Sequence, residues 1–388
     1  MAPEDLRVAL ISGNYNYVRD GANQALNRLV AFLLGAGVKV RVYSPTVEHP
    51  AFPPTGDLVS LPSIAAPGRA EYRIPLGLTR SVRSDLEAFA PNIVHIASPD
   101  FASHRAVTWA RQRDIPAVAS VHTRFETYLA YYHLEMFEPA VRAALRRLYR
   151  RCDALLVPAE STAAVLRAQR MNRNIAIWSR GVDRQQFHPG RRDIDWRRGL
   201  GIADDELVLA FLGRIVMEKG LDVFAAVHDE LNRCGIAHKV LVIGEGPARP
   251  SFEKALPAGI FVGHQEGPDL ARALASADLF LNPSITETFG NVTLEAMACA
   301  LPVVAAAATG ANSLVRDGET GTLAEPGDIC ALAGAVAAYA ADPALRVAHG
   351  AAGLAYAKTQ DWDVINAAVL KTYARAIERR CRLARIKG

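Results

Sequence analysis

The chain has 388 residues, half of them hydrophobic and 22% charged, with a net charge of +4. That is material for two domains of ordinary size, and so mild a charge argues against nucleic acid as a partner. No run reaches the roughly 18 to 20 uninterrupted apolar residues of a membrane span, and the start Met-Ala-Pro-Glu-Asp is unlike a signal peptide, so a cytoplasmic protein is expected.

Short apolar, β-branched runs alternate with longer amphipathic stretches along the chain. The first series comprises residues 8–12 (VALIS), 39–44 (KVRVYS), 93–97 (IVHIA), 117–122 (AVASVH) and 154–158 (ALLVP). A second comprises residues 207–213 (LVLAFLG), 239–244 (KVLVIG), 260–263 (IFVG), 279–282 (LFLN) and 302–306 (PVVAA). Runs apolar on both faces read as parallel strands covered by helices on either side. The expected class is therefore α/β, with two doubly wound Rossmann-like domains facing across a cleft. Residues 181–205 are polar, glycine-bearing and poor in strand pattern. They mark a boundary: a first domain over 1–185, a linker over 186–205, a second domain over 206–361, and a helix over 362–388 able to pack back on the first.

The five cysteines (Cys152, Cys234, Cys299, Cys330, Cys381) are scattered and form no CxxC pair, so reduced thiols are expected rather than a disulfide framework or a zinc site. Basic residues cluster over 139–151 (PAVRAALRRLYRR). There Arg142, Arg146 and Arg150 share one helical face while Val141, Leu145, Leu148 and Tyr149 form an apolar stripe. That pattern suits either a helix lying on an anionic membrane surface or an ordinary surface helix packed on a sheet.

Ligands of doubly wound sheets bind where strands end, and the informative segments follow strands. Ser12 to Gly21 follows the first strand without a G-x-G-x-x-G fingerprint, though Gly21 lets backbone approach a phosphate or acceptor. His122 ends the fourth run; alone, such a histidine is more often structural. Asp193-Ile-Asp195 formally matches a metal-binding D-x-D but falls in the linker, so no metal site is assigned. Phe211 to Gly220 (FLGRIVMEKG) puts Arg214 and Lys219 at a strand end, flanked by Gly213 and Gly220, a pair of cations suited to a diphosphate leaving group or to a solvated loop. Gly244-Glu-Gly-Pro247 reads as a tight turn bringing backbone near the cleft.

Residues 284–302 (SITETFGNVTLEAMACALP) are the sharpest segment. Phe289-Gly290-Asn291 reads as a helix entry whose unpaired amides, with those of Val292, can hold a diphosphate. Glu287 and Glu295, if on one helix, would stand about 12 Å apart, too far for the roughly 5 Å of a retaining hydrolase dyad. They suit two parts of one long ligand. Glu295 near a helix start is also compatible with a plain capping role.

The ordered set His122-Thr, Arg180-Gly-Val-Asp183, Gly213-Arg214 with Glu218-Lys219-Gly220, Gly244-Glu-Gly-Pro247 and Glu287-x7-Glu295 resembles glycosyltransferase family 4, over nearly the whole chain. The resemblance implies a retaining, metal-independent GT-B enzyme that moves a hexose from GDP-mannose or a UDP-sugar to a lipid or glycan acceptor. It implies that Arg214 and Lys219 hold the diphosphate, with amides of Phe289 to Val292. It places Glu295 on the ribose, Glu287 on the transferred sugar, His122 beside that sugar, and Gly21 on the phosphate side of the first domain. Many members carry a Gly-Gly pair in the first loop, whereas here Gly13 and Gly21 stand apart. Residues 122–151 and 178–183 are similar to bacterial mannosyltransferases and to sulfoquinovosyl and glucosyl diacylglycerol synthases, which suggests peripheral attachment to the inner face of the cytoplasmic membrane. Two other classes fit the same pattern less fully: a sugar-nucleotide epimerase of the same shape, and a non-enzymatic membrane scaffold suggested only by the basic helices.

Overall fold

The computed structural model describes residues 2–66, 69–123 and 135–387. Among these, the residues up to Arg180 together with Trp362 onward form one compact unit, and Gly181–Asp361 forms the other.

The first unit is built on β1 (Arg7–Ile11), β2 (Lys39–Ser44), β3 (Asp57–Ser60), β6 (Ile93–Ile96), β7 (Ala117–Ser120), β8 (Ala154–Val157) and β9 (Ile175–Ile177), with β4 (Ser63–Ala66) and β5 (Arg69–Pro75) forming a separate antiparallel pair. Its parallel sheet runs in the order β3-β2-β1-β6-β7-β8-β9. Alternation along each strand splits the core in two. Ala9, Ile11, Val94, Ile96, Leu155 and Val157 enter one cluster, whereas Val8, Leu10, Ile93, Ala154 and Leu156 enter the other. Helices Gly21–Gly35 and Trp362–Lys387 pack on that second cluster, through Leu26, Leu29 and Val30 and through Val369, Tyr373 and Ile377. Arg380 fastens the C-terminal helix further by donating to both oxygens of Asp153, at 2.8 and 3.1 Å.

The second unit contains β10 (Val208–Leu212), β11 (Lys239–Ile243), β12 (Ile260–Gly263), β13 (Leu279–Asn282), β14 (Val303–Ala306) and β15 (Gly321–Ala324), parallel in the order β12-β11-β10-β13-β14-β15. All ten strands expected from apolar runs form, within two residues of the expected limits. Among the described residues the pattern misses five strands: β3, β9 and β15, which are edges of the two parallel sheets, and the antiparallel pair β4 and β5. Edge strands bury less of their surface: β3 is polar at both ends, and β9, though apolar, is only three residues long.

Residues 186–205 are structured and belong with the second unit. They hold the helix Ile194–Gly199, capped by Asp193 through the Trp196 amide at 2.9 Å. Asp195 pairs with Arg198 at 2.8 Å, so both carboxylates of the D-x-D serve local structure. Arg197 is fully buried and donates to Asp278 and the Ser276 carbonyl, each at 3.0 Å, and to the Glu206 carbonyl at 2.7 Å.

The basic helix Glu138–Tyr149 turns its apolar stripe inward: Leu145, Leu148 and Tyr149 are buried in the first unit's core, and Val141 packs against them. Withdrawing them to insert into a bilayer would leave cavities costing about 2–5 kcal/mol for each large aliphatic side chain. Arg146 and Arg150 donate to the carbonyls of Gln169 and Arg170, at 3.0 and 3.1 Å. These carbonyls follow the helix Glu160–Ala168. Of the two sequence expectations for this stripe, the packed surface helix is what forms in the structure. Among the described residues no single helix is long and apolar enough to cross a membrane. All five cysteines are free thiols.

Arg197→Met should destabilise the second unit by about 3 kcal/mol, the lower end for a broken buried pair, because Arg192 still holds Asp278. Urea unfolding monitored by tryptophan fluorescence would read this; a loss under 1 kcal/mol would show that the pair does not anchor the segment.

Candidate functional site

Parallel strands require every connection to cross a face of the sheet, and where the strand order reverses, neighbouring connections leave on opposite faces and open a crevice at the carboxyl ends. In the second unit that reversal falls between β10 and β13. The two loops there carry Arg214 with Lys219 and Glu287 respectively.

The loop after β10 closes in a short turn, Met217–Lys219, ended by Gly220 in the left-handed region at φ 71°. A Cβ at Gly220 would lie 3.0 Å from the Pro283 carbonyl oxygen, so glycine lets this loop seat against the one after β13. Hydroxyls complete the seam: Ser284 and Thr286 both donate to the Glu218 carbonyl, at 3.3 and 3.1 Å. The result is an ion pair between the Lys219 ammonium and Glu287 Oε1 at 2.7 Å. The Asn282 amide donates to Glu287 Oε2 at 3.1 Å and to Thr293 Oγ1 at 3.0 Å. Glu287 is thus held on both oxygens.

Asn282 and Thr293 are positioning groups that sequence reasoning missed. The available signal was a polar residue closing an otherwise apolar run, Leu279-Phe280-Leu281-Asn282.

Gly290 stands at φ 97° as the cap of the helix Asn291–Ala298, offering no side chain to the first amides. Its missing Cβ would meet Glu287 Oε2 at 2.9 Å. The bare helix start and the Glu287 carboxylate are therefore neighbours. The helix begins only at Asn291, so Glu287 precedes it and the single-helix spacing from Glu295 does not apply. Phe289 is buried, Asn291 and Val292 are half-buried, and Glu295 lies on the same helix near Cys299. Burial, and then the Glu295 charge, push the Cys299 thiol up.

Gly244 lies in a turn that packs closely on neighbouring backbone. At φ 144°, its added Cβ would come 1.9 Å from the Gly213 carbonyl oxygen, and one at Gly246 would come 2.3 Å from that of Ile215. These glycines let the turn after β11 lie directly on the Gly213–Ile215 backbone, with Ile215 donating to the Glu245 carbonyl at 2.8 Å. They shape the loop that carries Arg214.

Gly21 and His122 belong to the first unit. Gly21 opens the helix Gly21–Gly35, whose start Asp20 caps through the Asn23 amide at 2.8 Å. A carboxylate already serves that helix end, in contrast with Gly290. His122 is engaged on both ring nitrogens: Nδ1 lies 2.9 Å from an Arg180 guanidinium nitrogen and Nε2 2.8 Å from Ser120 Oγ. Burial, and then Arg180, push its pKa well below the usual range, which favours the neutral ring. Residues 124–134, within the stretch 122–151 that carries the resemblance, lie outside the described residues.

Residues 19–186 match the family described as Glycosyltransferase Family 4, and residues 206–342 the one described as Glycosyl transferases group 1. The chain is 30% identical to a GDP-mannose-dependent alpha-mannosyltransferase of Mycolicibacterium smegmatis, covering 97% of this chain and 99% of that one. It is 35% identical to the sulfoquinovosyl transferase SQD2 of Arabidopsis thaliana over 66% of this chain and 52% of the relative. Among solved structures, a sucrose-phosphate synthase from Thermosynechococcus elongatus superposes with a TM-score of 0.80 at 21% identity, over 96% of this chain and 100% of its own. Two Rossmann-like units of this kind define the GT-B fold of glycosyltransferases, and the chain is a hexosyltransferase. It belongs to glycosyltransferase family 4. None of these likenesses supports the epimerase or the scaffold.

Because Lys219 and Glu287 touch, their substitutions should not act independently. Lys219→Ala alone should lower kcat about a hundredfold or more, while Lys219→Ala combined with Glu287→Gln should fall short of the summed effects by about 0.5–3 kcal/mol. Strict additivity of transfer rates in this double-mutant cycle would show that the pair does not work as a unit.

Proposed function

We propose that the enzyme transfers mannose, with retention of configuration and without a metal ion, from GDP-mannose to a lipid or glycan acceptor. The observation that carries this reading is the Lys219–Glu287 pair beside the bare helix start at Gly290. An ammonium has three protons to donate, and Glu287 takes one. The other two suit a phosphate, so Lys219 bridges the leaving diphosphate and the carboxylate assigned to the sugar. In a sugar nucleotide those two parts are joined at one glycosidic oxygen, which is the adjacency the pair displays. Positive charge from Arg214, Lys219 and the helix amides stabilises the charge that grows on the diphosphate as the sugar–oxygen bond breaks. A metal would supply the same field. Glu287, its charge balanced by Lys219 and its other oxygen held by the Asn282 amide, is suited to accepting from sugar hydroxyls rather than to attacking the anomeric carbon. Glu295, further along the helix, is assigned to the ribose. Mannose and GDP are chosen over a UDP-sugar because the mannosyltransferase relative matches this chain from end to end.

Incubated with a panel of GDP-, UDP- and ADP-sugars in EDTA, the enzyme should release GDP from GDP-mannose, and that donor should raise its melting temperature most. Release only after manganese is added would contradict the metal-free reading, and preference for a UDP-sugar would overturn the assignment of donor.

Attachment to an anionic membrane is part of the same proposal, through surface charge alone. Helices Phe101–Gln112 and Glu138–Tyr149 border a depression of about 380 Å³ lined by Phe101, His104, Arg105, Thr108, Ala144, Arg147 and Arg151, with no carboxylate among the described lining residues, though Asp100 acts on His104 from nearby. Arg151 donates to the Thr108 hydroxyl at 2.6 Å. Burial, and then the nearby Arg151, push the His104 pKa down. A lipid phosphate would relieve this crowding of positive charge, with attraction worth about 1 kcal/mol per basic residue near the surface. The variant carrying Arg147→Glu and Arg151→Glu should lose co-sedimentation with anionic vesicles at low salt. Equal binding by wild type and variant, or no binding by wild type, would remove this surface from the function.

A further inference from the structure

A buried arginine with no carboxylate among its described contacts stands next to His122. Arg180 is 4% exposed, and its guanidinium donates to the carbonyls of Trp178 and Ser179 at 2.8 and 3.0 Å and lies 4.7 Å from the centre of the Trp178 ring. Its remaining described contact is His122 Nδ1 at 2.9 Å. Burial brings Arg180 down only to about 10, so it remains a cation near neutrality. Keeping such a charge out of water is costly unless its protons are well used, and here one of them fixes an imidazole.

The chemistry of that contact has a direction. A guanidinium can only donate, so His122 Nδ1 accepts, and the neutral ring must carry its proton on Nε2. That N–H donates to Ser120 Oγ at 2.8 Å. The Ser120 hydroxyl is then free to donate to His95 Nε2 at 2.9 Å. His95 is wholly buried and held neutral, burial pushing it down to about 3. Its proton therefore sits on Nδ1 and is donated to the Tyr373 hydroxyl oxygen at 2.7 Å. Tyr373 belongs to the C-terminal helix Trp362–Lys387. The same helix supplies Asn366, which accepts from the Trp178 indole at 3.0 Å. Trp178 in turn packs edge-on against both His122 and His95, with centroids 5.5 and 6.2 Å apart. Every member of this chain lies within the first unit.

We propose that Arg180 is a positioning residue for transfer: through the directed chain Arg180–His122–Ser120–His95–Tyr373 it locks His122 as the Nε2–H tautomer in one ring plane, and the C-terminal helix closes the chain. This rests on the assignment of His122 to the sugar side of the site. The ring is then a rigid, uncharged wall for the substrate. Its orientation is set from the Arg180 end, and Tyr373 terminates the chain without choosing its direction.

The test uses the full chain with 15N-labelled histidine, reading tautomers from long-range 15N–1H spectra, alongside steady-state transfer and GDP affinity. Wild type should show His122 protonated at Nε2 from pH 5.5 to 8. Arg180→Met should abolish that fixed tautomer and lower kcat about ten- to a hundredfold, the scale expected of a small misplacement, with the GDP dissociation constant unchanged. Arg180→Lys, which keeps a donor, should restore part of both. Tyr373→Phe removes one hydroxyl and should shift the His95 resonances while leaving the His122 tautomer intact, so it decides the question even if Arg180→Met fails to fold. His122 found as the Nδ1–H form or as imidazolium in wild type would overturn the proposal. So would unchanged kcat in Arg180→Met, or a His122 tautomer that follows Tyr373 instead of Arg180. A tautomer that obeys these rules in a protein releasing no GDP from GDP-mannose would leave the chain standing and defeat the proposed donor instead.

Discussion

In the second unit, everything of chemical interest follows from the sheet being parallel. Parallel pairing sends each connection over one face or the other, and the order β12-β11-β10-β13-β14-β15 changes direction once, between β10 and β13. Only at that point do two consecutive loops diverge and leave room for a ligand between strand ends. The Lys219 loop and the Glu287 loop are those two loops. Their contact is eased by a close backbone approach at Gly220 against the Pro283 carbonyl, and Gly290 leaves room beside the Glu287 carboxylate. A second pair of approaches, at Gly244 and Gly246, holds the Arg214 loop from its other side.

Charge in the molecule is arranged in three ways with different consequences. Arg197 is buried and ties Asp278 and three carbonyls through its two terminal nitrogens. Lys219 is partly exposed, with one of its protons on Glu287, and keeps donors for a ligand. Arg180 is buried with no carboxylate among its described contacts, and spends its protons on carbonyls and an imidazole. Composition treats all three as basic residues. Burial and the identity of the acceptor decide whether a cation serves as a clamp, a ligand group or the origin of a hydrogen-bond chain.

The first unit shows why periodicity and packing answer different questions. The amphipathic pattern of Glu138–Tyr149 was equally consistent with a bilayer surface and with a sheet, because both offer an apolar plane. Leu145 and Leu148 lie against the sheet, in the same cluster as Leu155 and Val157. What remains outside is a set of arginines from two helices that are far apart in sequence, Arg105 on one and Arg147 with Arg151 on and just after the other.

The sequence by itself determined the two doubly wound units, because runs apolar on both faces have no other stable home than a covered parallel sheet. It also determined which strand ends matter, since Arg214, Lys219 and Glu287 follow such runs directly. The edge strands β3, β9 and β15 escaped it because an edge strand can be very short or carry polar residues. Only the tertiary structure decided that Lys219 and Glu287 form a pair, that Asn282 and Thr293 orient it, and that residues 186–205 are a packed part of the second unit. Only the tertiary structure, too, placed Tyr373 on His95, a contact spanning 278 residues. These are contacts between residues distant along the chain, and their existence depends on how closely one backbone can approach another. A hydrophobic pattern records which face of an element is buried. It carries no record of which polar atoms that burial brings within 3 Å of each other.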